Sequence, residues 1–132
     1  MEKISISQHD LLKDETRAFA FLATLMSDGS PQVTPVWFNM DGDHILINSA
    51  EGRVKVKNMR EREQVALSII DPNDPYRYIQ IRGRVVEITH QGAREHIDAL
   101  AKKYTGADQF SGPPEDVRVI FKIKPDHGFL DS

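Results

Sequence analysis

No cysteine occurs among the 132 residues, which removes disulfides, thiolate nucleophiles and thiolate metal sites together. No apolar run reaches the length that crosses a membrane, so a membrane partner is not expected. Charge of one sign is also missing in excess. Seventeen Lys and Arg stand against twenty Asp and Glu, a formal net charge of −3, and no general attraction for nucleic acid follows. The five histidines, His9, His44, His90, His96 and His127, are scattered without a His-x-x-x-His pair, so no metal site is expected. There is no Gly-x-Ser-x-Gly elbow, no Gly-x-x-x-x-Gly-Lys loop and no Gly-x-Gly-x-x-Gly turn, which argues against a serine hydrolase, a nucleotide triphosphatase and an ordinary dinucleotide fold.

What is there reads as one soluble domain over residues 1–132, with 39% hydrophobic and 28% charged residues. The opening Met1-Glu2-Lys3-Ile4-Ser5 lacks the basic and then apolar plan of a secretory signal, and a cytoplasmic location is the expectation. Gln8 to Thr16 reads as a short amphipathic helix with Ser7 as its cap and Leu11 and Leu12 facing inward. A strand over 18–26 turns at Ser27-Asp28-Gly29-Ser30 into a second over 32–40. A third runs from His44 to Ser49 after Asp41-Gly42-Asp43. A helix over 53–62 leads to a fourth strand over 64–70, the turn Asp71-Pro72-Asn73-Asp74-Pro75 and a long fifth strand over 76–88, where Gly83 suggests a bulge. A second helix spans 91–104, with Thr89 as candidate cap, Gly106 as stop and Glu95, His96 and Asp98 on its polar face. After a loop at 106–114, Val117, Val119, Phe121 and Ile123 alternate with Arg118 and Lys122 in a last strand. Six antiparallel strands with few helices predict a small, mainly β barrel rather than a parallel nucleotide-binding sheet.

The stretch Ser49-Ala50-Glu51-Gly52-Arg53-Val54-Lys55-Val56-Lys57-Asn58-Met59-Arg60 concentrates the chemistry. Between Arg53 and Arg62 stand five cations and one opposing residue, Glu61. A helix opening carries unpaired N–H groups and the positive end of the macrodipole, so cations belong there only if something negative offsets them. A bound phosphate would do so, although charge alone equally allows a solvated helix face. Arg53 offers a planar fork for two phosphate oxygens and Lys55 a compact point charge. Pro35, which cannot donate a ladder hydrogen bond, marks a gap or edge within its strand. Trp37 reads as ordinary core, and the loop at 106–114 as either a cover or a plain connection.

The segments Gly29-Ser30-Pro31-Gln32-Val33-Thr34-Pro35-Val36-Trp37-Phe38, then Ile47-Asn48-Ser49, then Arg53-x-Lys55-x-x-Asn58 together resemble the pyridoxamine-phosphate-oxidase-like split β-barrel family. The match is closest to its small oxidoreductases dependent on the deazaflavin coenzyme F420. The resemblance implies a six-stranded split barrel and a homodimer with two cofactor sites at its interface. The ring would lie against the second strand, beside Thr34, Pro35 and Val36, with Gln32 in the same segment. Asn48 and Ser49 would meet the ribityl chain or phosphate, and Arg53 and Lys55 the phosphate itself. Lys57 and Asn58 continue the motif, though Lys57 could simply face solvent, and Tyr78 would reach the cofactor of the opposite subunit. The implied activity is hydride transfer between F420 and a small organic acceptor. The alternatives are an FMN-binding oxidase or reductase of the same family and a non-catalytic carrier or sensor of flavin or heme. Pyridoxamine phosphate oxidation itself is not expected, because the chain is shorter than those enzymes and lacks a match to their carboxy-terminal segment.

Overall fold

A computed structural model describes residues 6–129, with side chains from 9 to 126. Seven strands form a single antiparallel sheet: β1 (Phe19–Leu25), β2 (Pro31–Val36), β3 (Phe38–Asp41), β4 (His44–Ala50), β5 (Gln64–Asp71), β6 (Asp74–Thr89) and β7 (Arg118–Phe129). Their order across the sheet is β2-β1-β5-β6-β7-β4-β3. The two edge strands, β2 and β3, are consecutive in the chain and only Trp37 separates them. The sheet must therefore curl until its edges meet, which makes a barrel split at Trp37.

One expected strand thus becomes two. Residues 32–40 alternate well enough to read as a single strand, yet β2 pairs with β1 and β3 pairs with β4. The chain leaves one ladder beside Pro35, which has no N–H to continue it, and enters another at Phe38. The β1–β2 hairpin follows its turn chemistry: Gly29 takes φ +87°, and the Asp28 carboxylate accepts from the Ser30 N–H at 3.0 Å and its hydroxyl at 2.6 Å.

Period-two alternation fills the barrel. Leu22, Ile45, Ile47, Ile69, Phe121 and Ile123 are all fully buried in one cluster. Helix α1 (Val54–Glu61) adds Val56 and Met59 to that cluster, and Leu11 adds a further plug. The segment around Leu11 is a pair of 3-10 turns, Ile6–Leu12 and Asp14–Thr16, rather than the expected α-helix. The side chain of Ser7, its expected cap, lies outside the described residues. Helix α2 (Ala93–Thr105) buries Ala93, Ile97, Leu100 and Ala101 and packs on β4 and β7. Its N-cap is Gly92 at φ 73°, not Thr89, whose hydroxyl instead accepts from the Gln91 N–H at 3.0 Å. Gly106, at φ 81°, ends it as expected.

Gly83 lies at a register shift between β6 and β7, where the ladder slips between Arg82 and Gly83. A Cβ there would stand 2.4 Å from the Lys124 carbonyl oxygen. Backbone, not a flexible side chain, occupies that space, so Gly83→Ala is expected to cost about 2–3 kcal/mol by overpacking and to lower Tm by roughly 5–10 °C in thermal denaturation. An unchanged Tm would mean that the two strands do not approach as closely as this.

Candidate functional site

The seam of the barrel opens into a cleft of about 360 Å³. One wall is the end of β2 with its exit, Pro35, Val36 and Trp37. The other is the end of β4 with the turn into α1, Asn48, Ser49, Arg53 and Lys55. Phe19, Ile97, Phe110 and Arg118 complete it. Six residues expected from the sequence, Pro35, Val36, Asn48, Ser49, Arg53 and Lys55, are thereby brought together from three elements.

Five expected residues lie outside the cleft lining. Gln32 points inward, its Oε1 accepting from the Thr24 hydroxyl at 3.2 Å. Thr34 stands opposite the buried Leu22, and its hydroxyl is buried without a partner among the described residues. Asn58 is buried and ties α1 to β1, donating from Nδ2 to the Thr24 hydroxyl at 3.0 Å. Lys57 is exposed. Tyr78 stands on β6 opposite Ile70, two strands from Phe19 on the same outer face.

Five lining residues were not anticipated: Phe19, Trp37, Ile97, Phe110 and Arg118. Trp37 is no core residue: half-buried at the strand break, it stacks on Tyr104 with centroids 5.2 Å apart and meets the edge of Phe110 at 6.0 Å. Phe110 brings the loop at 106–114 to the cleft, held by its N–H donating to Asp98 at 2.9 Å. Ile97 belongs to the apolar stripe of α2. Arg118 is the most consequential. Strand alternation places it away from the barrel interior, but α2 covers that outer face, so Arg118 is 9% exposed rather than solvated.

Electrostatically the cleft is an anion trap. Burial pushes the Lys55 ammonium below its ordinary pKa, and the neighbouring Arg53 and Arg118 push it further. Burial likewise lowers Arg118, with Arg53 and Arg94 adding to the effect and Asp116 opposing it. Asp116 offers only a loose pairing, 3.9 Å from the Arg118 guanidinium. No side chain caps the start of α1, and its first turn carries no acid. Glu51, the nearest acid in sequence, is engaged elsewhere by Arg60 and by His90 at 2.5 Å, and the Arg60 bond above all holds its carboxyl down to about 2. A half-buried Lys55 and a buried Arg118 beside the exposed Arg53, with so little compensation, fit an anionic ligand.

Behind this cluster runs a chain of polar side chains. Asn48 donates from Nδ2 to the Ala93 carbonyl at 2.8 Å and accepts at Oδ1 from Arg118 Nε at 2.9 Å. Those two bonds assign its amide nitrogen and oxygen. The same Nδ2 lies 3.1 Å from His96 Nδ1, which must therefore accept, leaving the ring proton on Nε2 to donate to Asn39 Oδ1 at 2.8 Å. His96, expected on the polar face of its helix, is thus an internal bridge. Burial holds its pKa down to about 4. Among the described residues no group of three or more His, Asp or Glu side chains could hold a metal ion.

A curled antiparallel sheet with an anion-fitting cleft at its seam defines a split β-barrel protein. The chain belongs to the pyridoxamine 5'-phosphate oxidase family, whose model matches residues 10–130. Among solved structures it is similar to an F420 reductase at 32% identity and a TM-score of 0.83, covering 95% of this chain and 98% of the other. A conserved hypothetical protein of Mycobacterium tuberculosis shares the fold at 20% identity and TM-score 0.71, covering 98% of this chain and 86% of the other. The General Stress Protein 26 of Bacillus anthracis does so at 16% and 0.67, covering 92% of each. No curated protein matches the chain.

The His96 bridge has a signature in stability. Its folded pKa of about 4 lies below the ordinary 6.5, so between those values the unfolded chain binds a proton that the folded chain does not. Stability therefore falls as pH drops from 6.5 to 4 and levels off below, by roughly 2–3 kcal/mol after allowance for partial solvent access. His96→Gln should lose this component, so that the difference between parent and variant in urea unfolding narrows steadily across the interval. Parallel pH curves would contradict the buried neutral ring.

Proposed function

We propose that this protein is an oxidoreductase that holds coenzyme F420 in the seam cleft and exchanges hydride between the deazaflavin and a small organic acceptor. The observation that carries the reading is the convergence of Arg53, Lys55 and Arg118 on one cleft with apolar and aromatic walls. Such a cleft suits a flat ring joined to a phosphorylated tail: Arg53 and Lys55 bind the phosphate, Asn48 and Ser49 border the ribityl chain, and Pro35 and Val36 support the ring. The similarity to an F420 reductase over nearly the whole of both chains favours the deazaflavin over FMN.

The bound cofactor would supply the hydride chemistry. The protein's task is then to orient the ring and keep water from its reacting face. Trp37, Phe110, Phe19 and Ile97 provide the water-excluding surface. As an edge strand, β2 leaves one side of its backbone without a ladder partner, and those N–H and C=O groups are available to the ring edge, with Gln32 tied to Thr24 from within.

A homodimer is part of this reading. Phe19, Phe21 and Val33 are 45%, 38% and 63% exposed, and with exposed Pro35 they make an apolar patch across β1 and β2. An uninterrupted patch of this kind marks an interaction surface. It runs directly into the cleft at Phe19 and Pro35, so a second copy docked there would wall the open side. Tyr78, on the same face, would then approach the partner's cofactor. Lys57 and Asn58 have supporting places in this scheme, the first at the exposed rim and the second as the tie that holds α1.

Titration of the apoprotein with F420 and with FMN, read by fluorescence of the sole tryptophan, Trp37, tests the proposal. F420 should bind the more tightly and turn over with an acceptor. Stronger binding of FMN would move the protein to the flavin branch of the family, and binding without turnover by a broad acceptor panel would make it a carrier. Each charge-assisted contact contributes about 1.5–3 kcal/mol, so Arg53→Ala with Lys55→Ala should weaken the bound coenzyme by at least ~100-fold. The double variant should melt no lower than the parent, since it removes mutually repelling cations. Unchanged affinity would reject the phosphate assignment.

A further inference from the structure

Arg118 and its supports raise a question that the cleft alone does not answer. Among the described residues, the only hydrogen bond of the Arg118 guanidinium is from Nε to Asn48. Its face lies 5.1 Å from the Phe110 ring centroid, and Asp116 is too distant for a good hydrogen bond. A guanidinium has five N–H donors. With Nε anchored, the terminal nitrogens remain for whatever enters the cleft, and their direction is set by where Asn48 presents its oxygen.

An asparagine amide can present either end. If Asn48 turned over, its nitrogen would face Arg118 Nε, donor against donor, and the guanidinium would lose its anchor. Two contacts prevent this: the Ala93 carbonyl and His96 Nδ1 both accept from Asn48 Nδ2. His96 Nδ1 can do so only while the ring proton is on Nε2, where Asn39 Oδ1 on β3 accepts it. The bonds form one continuous chain across β3, α2, β4 and β7. It ends at a cation in the cleft.

We propose that His96 is a positioning residue for anion binding: through Asn48 it aims the Arg118 guanidinium into the cleft as a third ligand of the anion. The inference rests on the reading that the cleft holds the coenzyme's phosphate. Arg94 has a different part, since it donates to the carbonyls of Pro114 and Asp116 and so holds the end of the loop that carries Phe110.

Replacement of His96 by each of two amides separates positioning from packing. Asn places an acceptor where Nδ1 stood and keeps the bond to Asn48, whereas Gln reaches the Nε2 position and keeps only the bond to Asn39. With F420 as probe, His96→Gln should raise Kd by about 10-fold, and His96→Asn should stay within about threefold of the parent. Arg118→Ala should raise Kd by at least as much as His96→Gln, and adding His96→Gln to it should weaken binding little further. Equal affinity of His96→Gln and the parent, while Arg53→Ala with Lys55→Ala still weakens binding strongly, would overturn the relay and leave the phosphate reading intact. Equal losses in the Gln and Asn variants that track their melting temperatures would overturn it also, as a packing effect. Binding indifferent to Arg53 and Lys55 would instead bring down the reading beneath it.

Discussion

The covalent link between the two edges of the sheet is the constraint from which the rest follows. β2 and β3 are the edges, and a single residue joins them. A flat sheet cannot satisfy that link, so the strands curl around the cluster of Leu22, Ile45, Ile47 and Phe121. Closure is incomplete where Val36 ends one ladder and Phe38 begins another. The opening left there, lined by Trp37, is the cleft. Because β4 follows β3 through a tight turn, its carboxy-terminal end and the basic turn into α1 come to the same seam.

Electrostatics then decides what the seam can hold. Lys55 and Arg118 both have their charged forms disfavoured by burial and by neighbouring cations, an arrangement that weakens the empty fold and strengthens the filled one. Several cations elsewhere are paired. Arg77 is bonded to Asp10 and Asp71, Arg84 to Asp126 at 3.0 Å, and Lys122 to Asp41 at 3.1 Å. In the cleft three cations share only the loose contact with Asp116, which supports the proposed binding site over a solvated charge run.

Much of this was legible in the residues. The turns at Asp28-Gly29 and Asp71-Pro72-Asn73, the bulge at Gly83, the stop at Gly106 and the gathering of Arg53 and Lys55 all follow from local chemistry that tertiary packing does not override. Trp37 and Arg118 were not legible, for a common reason. Alternation tells which face of a strand a residue occupies but not what covers that face. Arg118 was placed on the outside and is there, yet α2 lies over it. The stripe Ala93, Ile97, Leu100 and Ala101 announced that the helix would cover some surface without saying which. His96 was misplaced for the same reason, since its two partners, Asn39 and Asn48, lie far from it in sequence and meet only when the barrel closes.

The account comes down to where an anion is held, and a crystal structure of the protein with F420 bound tests that most directly. The phosphate is predicted among Arg53, Lys55 and Arg118, with oxygens at roughly 2.7–3.2 Å from their nitrogens and the ring along Pro35 and Val36. A phosphate bound away from all three cations, or a cleft filled by the protein's own side chains, would contradict it.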